Sequence, residues 1–144
     1  MDKINYGPEH SLNLKALIAL SRTNQRIHRR TADRLVKHGL TLSQFAVLEA
    51  LYHKGDMSIR EIITTVLSSG GNMTVVIHNL VKLGLVTRCV HPEDRRASLV
   101  SITPQGAAKI QDIFPGHLTD LEDTFSALDP EEKHQLIALL KKIK

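Results

Sequence analysis

The stretch SIREIITTVLSSGGNMTVVIHNLVKLGLVTRCVHPEDRRASLVSI, Ser58 to Ile102, sets two short helical patterns, a Ser-Gly break and two β-rich runs in succession. Ser58 with Glu61 has the spacing of a capping box, in which the serine oxygen takes a free backbone N–H and the glutamate reaches back to the serine N–H. It opens a short helix with Ile62, Ile63, Val66 and Leu67 inward. Ser68-Ser69-Gly70-Gly71 then permits a sharp reorientation. A second helix is expected from about Asn72 to Leu83, its core stripe Met73, Val76, Ile77, Leu80 and Val81. After Gly84, the runs Leu85 to His91 and Ala97 to Ile102 flank Pro92-Glu93-Asp94-Arg95-Arg96, which predicts a hairpin with a charged tip. Two helices joined by a tight break and followed at once by such a hairpin form a winged helix-turn-helix, whose second helix enters a major groove of duplex DNA.

The second helix is tested by what it exposes. Opposite its core stripe lie Asn72, Val75, His78, Asn79 and Lys82, with Thr74 at the margin and no carboxylate. Amide and imidazole groups read base donors and acceptors, and Val75 suits a thymine methyl. Ser68, Ser69 and the Gly71 N–H fall where the helix start meets a phosphate. Taken alone, a polar helix face is an ordinary solvated surface; the hairpin directly after it favours the DNA reading. At the hairpin tip, Arg95 and Arg96 are placed to enter the narrow, electronegative minor groove beside the helix. Asp94 would be repelled by DNA, so it is expected to hold the tip's shape by pairing with an arginine or a backbone N–H.

Working outward, Leu14, Leu17, Ile18, Ile27 and Leu35 are spaced for one face of a long helix from Ser11 to about His38, ended by Gly39. Thr41 with Gln44 is a further capping box, starting a helix with Phe45, Leu48 and Leu51 inward. Thr103 and Pro104 start a fifth helix to about Ser126, irregular at Pro115, and Asp129-Pro130-Glu131-Glu132 caps a sixth with Leu136, Leu139, Leu140 and Ile143 inward. The expected order is α-α-α-α-β-β-α-α, mainly α with a small β-hairpin wing. At 144 residues the chain fits one domain, and with five aromatics, none of them Trp, its core must be aliphatic. The net charge is +4, distributed as +4 over residues 1–53, +2 over 54–103 and −2 over 104–144, which puts a polyanion-facing surface in the first two thirds. Arg22, Arg26, Arg29 and Arg30 line one side of the first helix and are read as a solvated stripe in preference to phosphate contacts.

NMTVVIHNLVKLGLV (Asn72 to Val86) and HPEDRRASLVSITPQG (His91 to Gly106) resemble the multiple antibiotic resistance regulator (MarR) family of bacterial dimeric transcription factors. LTLSQFAVLEAL (Leu40 to Leu51) resembles that family's second helix, and Ile113 to Ile143 its C-terminal helices, so the likeness covers nearly the whole chain. The resemblance implies that Asp94 and Arg96 occupy the family's wing Asp-x-Arg positions and that Thr74 faces DNA. It also implies dimerisation through the first, fifth and sixth helices, for which Leu14, Leu17, Ile18, Leu136, Leu139, Leu140 and Ile143 are the candidate contacts. Residues 11–38 and 104–144 would then be dimerisation helices and 40–103 the winged lobe of one domain spanning 1–144. The expected function is that of a ligand-responsive repressor binding a palindromic operator as a homodimer. A small-molecule effector, if used, is expected where the dimer helices meet the lobe.

Other classes find less support. The single cysteine, Cys89, excludes an intramolecular disulfide and has no resolving partner, so it reads as a strand side chain before a redox sensor. Eight histidines suggest metal by number only, since no two fall at i,i+4, and no metal or cofactor is expected. No Gly-x-Ser-x-Gly, phosphate-loop or His-Glu-x-x-His motif occurs, so an enzyme is not expected. Apolar runs such as Ala16 to Leu20 fall far below the ~20 residues of a membrane span, and the chain is expected to be cytoplasmic. A winged helix that docks only proteins would show apolar anchors where this one shows Asn, His, Lys and Arg. Thiol- or metal-responsive variants of the same regulator are the remaining alternatives.

Overall fold

A computed structural model describes residues 4–66 and 72–144. Its elements are α1 (Pro8–Val36), α2 (Leu42–Lys54), β1 (Met57–Ser58), α3 (Ile59–Thr65), α4 (Met73–Lys82), β2 (Val86–Val90), β3 (Ser98–Ile102), α5 (Pro104–Thr124) and α6 (Pro130–Leu140). The fold is mainly helical with a small antiparallel wing. The Ser68-Ser69-Gly70-Gly71 break and Leu67 lie outside the described residues.

Local signals set most element ends. Thr41 with Gln44, Ser58 with Glu61 and Asp129 with Glu132 all close both hydrogen bonds of a capping box. In the second box the Ser58 backbone N–H donated to the carboxylate, with the Ser58 hydroxyl close by, holds the Glu61 carboxyl below the usual carboxylate range. Two helices stop in the same way. At the end of α4, Leu85 N–H bonds to the Leu80 carbonyl and Gly84 N–H to that of Val81, with Gly84 at φ 74°. At the end of α1, Leu40 and Gly39 bond back to Leu35 and Val36 with Gly39 at φ 69°. Each is a Schellman turn, in which glycine takes the left-handed position and an apolar pair, here Leu85 with Leu80 and Leu40 with Leu35, is buried beside it.

The core is aliphatic, with Val47 and Leu48 of α2, Ile62 of α3, Ile77 and Leu80 of α4, Val100 of β3 and Ile110 of α5 fully enclosed. The sheet order is β1-β3-β2, with Met57 opposite Val100 and Val86 opposite Ile102. The strand β1 is not expected from the sequence pattern; its two residues are held by pairing to β3, some forty positions later. The hairpin strands are shorter than their β-rich runs because Leu85 is used by the Schellman turn and His91 and Ala97 by a bond that begins the tip.

Several burial expectations need correction. Ile63 is 56% exposed, because α3 is seven residues long and turns only Ile62 to the core. Val81 is 38% exposed and Val76 half-buried, since α4 meets the core by the narrow ridge Met73, Ile77 and Leu80. The helix α1 starts three residues early, at Pro8 in its first turn, and α5 ends at Thr124, running through Pro115. The apolar residues Leu14, Leu17 and Ile18 are exposed, and α6 has no buried residue: Leu136 is half-buried, Leu139 and Leu140 face out, and Ile143 lies beyond the helix end. Neither set packs inward within the chain. Between α1 and α6 runs an apolar groove of about 840 Å³, floored by Leu20, Ile27, Phe125, Leu136, Ile137 and Leu140.

Arg30 departs from the solvated stripe. It donates to Asp123 at 2.9 Å and to Asp120 at 3.3 Å on α5. Arg34, one turn on, forks onto the same Asp120 through Nε and Nη2. The Arg34 guanidinium bonded to it holds the Asp120 carboxyl below the usual carboxylate range, against the opposing effect of burial. Among the described residues no helix is long and apolar enough to cross a membrane.

Candidate nucleic-acid interface

The helix α4 begins at Asn72, whose Oδ1 accepts the Thr74 N–H at 3.1 Å and satisfies one free donor of the first turn. Asn72 itself is exposed. The ridge Met73, Ile77 and Leu80 points into the core, so Thr74, Val75, His78, Asn79 and Lys82 are turned to solvent, Val75 being 52% exposed. Ser68, Ser69 and Gly71, read from sequence as phosphate contacts, lie outside the described residues.

The wing stands on β2 and β3. At its tip the Asp94 carboxylate accepts the Arg96 backbone N–H at 2.9 Å, and the Asp94 carbonyl accepts the Ala97 N–H at 3.0 Å. The His91 Nδ1 accepts the Glu93 N–H at 3.1 Å. These bonds fold the tip on itself and leave both Arg95 and Arg96 exposed. Lower on the wing, Arg88 Nε donates to Ser98 Oγ across the strands at 3.0 Å. Cys89 is exposed on β2 opposite Leu99. No group of three His, Cys, Asp or Glu side chains able to hold a metal is found among the described residues.

A second feature lies where α1 and α5 meet α2. A pocket of about 610 Å³ is lined by His28 and Thr31 of α1, Phe45, Glu49 and His53 of α2, and Phe114 and His117 of α5. The rings of Phe45 and His117 meet edge-on at 5.1 Å between centroids, and those of His53 and Phe114 at 4.9 Å. His53 Nδ1 lies 2.9 Å from the Glu49 carbonyl; a carbonyl only accepts, so Nδ1 donates in this bond and Nε2 is left on the other side of the ring. The buried His117 Nδ1 has no hydrogen-bond partner among the described residues. The sequence pattern singles out no residue of this pocket as a ligand contact. His53 and His117 are 64 positions apart, so no spacing signal links them.

The comparisons with known proteins agree with this geometry. Residues 38–97 match the model of the MarR family. The HTH-type transcriptional regulator MhqR of Bacillus subtilis is 37% identical over 131 residues, covering 91% of this chain and 90% of that protein. Among solved structures, Bordetella bronchiseptica BpsR, described for regulation of its DNA binding by 6-hydroxynicotinic acid, superimposes with a TM-score of 0.79 at 29% identity, covering 90% of this chain and 98% of that one. A mutant MarR from E. coli complexed with operator DNA gives a TM-score of 0.79 at 27% identity, covering 93% and 95%.

Proposed function

The chain belongs to the MarR family of DNA-binding transcriptional regulators, and from that membership we propose that it is a homodimeric, ligand-responsive repressor of a palindromic operator. The observation that carries the reading is the solvent face of α4, with its hydrogen-bonding side chains and no carboxylate, set beside a wing whose two tip arginine side chains are exposed and enter no ion pair among the described residues. In this reading Asn72, Thr74, Val75, His78, Asn79 and Lys82 lie in the major groove. Arg96, with Arg95, enters the minor groove, and Asp94 shapes the tip. The uncovered apolar residues of α1 and α6 meet their copies in a partner. A twofold pair then sets its recognition helices about one DNA turn (~34 Å) apart. Repression follows where such an operator overlaps a promoter.

Duplex DNA selected from random sequence by the protein supplies the operator for the test. Its affinity should fall with salt at a log–log slope of about −0.9 per phosphate neutralised. Arg96→Ala should weaken binding across sequences, while His78→Ala and Asn79→Ala should also relax base preference by ~1–3 kcal/mol per lost contact. Unchanged affinity in all three removes the site assignment. Capture of a protein with no retained duplex favours the protein-docking alternative.

The effector site of this reading is the His-and-Phe pocket. Its rings accept a planar aromatic guest, while the imidazoles of His53 and His117 supply the polar groups for a hydroxyl or carboxylate. The molecule named for the Bordetella neighbour, 6-hydroxynicotinic acid, has this chemistry and serves as the first probe. It should release operator from the wild type, and His117→Leu should raise the concentration needed by about tenfold, the equivalent of one lost hydrogen bond of ~1.4 kcal/mol. Release at the same concentration from both proteins places the effector elsewhere.

A further inference from the structure

The contact between α1 and α5 holds a feature that neither DNA nor effector binding uses directly. The Arg34 fork closes on Asp120, which is 8% exposed, and Arg30 ties the same carboxylate and Asp123 one helical turn away. One turn before Asp120 on α5 stands Gly116. A Cβ built there would come within 2.4 Å of Arg34 Nη1 and 3.0 Å of its Cζ. The Nη1 end of the guanidinium therefore fills the place a side chain would take, while Nε and Nη2 are held by the carboxylate. A planar, doubly bonded fork on such a seat tolerates little rotation, unlike a single lysine contact.

Its position gives that rigidity a consequence. The helix α1 is continuous over 29 residues, and its uncovered apolar positions begin about twenty residues before Arg34. At 1.5 Å per residue that lever is about 30 Å long, so a tilt of about 10° at the clamp moves its far end by ~5 Å. The step between base pairs is ~3.4 Å. We propose that Arg34 and Asp120, seated on Gly116, are positioning residues that set the spacing between the two recognition helices and hence the half-site separation the protein accepts. The inference rests on the dimeric, operator-binding reading above.

The test uses full-length protein and the duplex selected by the wild type, remade with its centre shortened or lengthened by one and two base pairs. The wild type should bind the original spacing about tenfold tighter than either neighbour. Asp120→Asn and Gly116→Ala should remain dimers by sedimentation, lose about tenfold on the original duplex, and distinguish the spacings by less than about threefold or prefer a different one. Asp120→Glu, which keeps the charge, should recover part of the preference. Alanine is at home within a helix, so Gly116→Ala decides the matter should Asp120→Asn fail to fold. Variants that keep the wild-type spacing profile, or lose affinity equally at every spacing, overturn the clamp. A wild-type protein that selects no duplex, or sediments as a monomer, overturns the functional reading beneath it.

Discussion

Leu17→Glu combined with Leu140→Glu leaves a folded winged lobe that has lost its hold on operator DNA. Both leucines are exposed in the single chain, at 60% and 42%, so the glutamates cost almost nothing there. Their penalty arises only when two copies meet. Each carboxylate must then shed its water in an apolar contact, which costs several kcal/mol per ion. With the pair split, the second half-site no longer benefits from tethering, a factor of about 10²–10⁴ in affinity for linked modules. Sedimentation equilibrium should show a monomer, circular dichroism an unchanged helix content, and gel shift a corresponding loss. A double variant that stays dimeric and binds normally would mean that α1 and α6 are not the pairing surface.

The largest stability effect is expected from Gly106→Ala. Alanine at a helical position ordinarily stabilises by up to ~1 kcal/mol relative to glycine. Here the sign reverses. A Cβ at Gly106 would stand 2.1 Å from the Leu85 carbonyl oxygen and 2.8 Å from Ile102 Cγ1. The first obstacle is backbone, and it is pinned: the Leu85 carbonyl accepts the Thr103 N–H at 3.0 Å, and Thr103 Oγ1 donates to the Gly84 carbonyl at 2.7 Å. Making room forces α5 away from the α4–β2 turn, an overpacking cost at the upper end of the usual range, about 3 kcal/mol. For a chain of this size that lowers Tm by about 10 °C. Gly116→Ala is the comparison: its obstacle is the end of the Arg34 side chain, which can be pushed out of the fork while Arg30 keeps Asp120 paired, so the clamp is lost but the melting point should fall less. Equal melting points for the two variants would show that the Leu85 turn yields readily.

The parts of this molecule that were legible in its sequence are those whose partners are close in the chain. The three capping boxes bond across three positions, and the wing closes across a handful of residues at its tip. The polar face of α4 was legible for the same reason, since helical period alone separates Asn79 from Ile77 and Leu80. Periodicity does not say how wide a ridge its neighbours will accept, so the pattern turns Ile63 and Val81 inward where the fold leaves both exposed. What depended on distant partners was hidden. The strand β1 exists because Val100 and Leu99 come alongside it, and Arg30 leaves the solvated stripe because Asp120 and Asp123 lie across from it, 90 and 93 positions later. His53 and His117 share a pocket for reasons of packing that no local spacing announces.

The bare apolar flank of α1 also bears on dosage. On the proposed pairing, that flank is covered only when two chains collide, so at low abundance the number of competent regulators grows with the square of the copies made. Halving synthesis would then cut operator occupancy by more than half, and a copy lacking its reading head but keeping its arm would poison intact chains by marrying them.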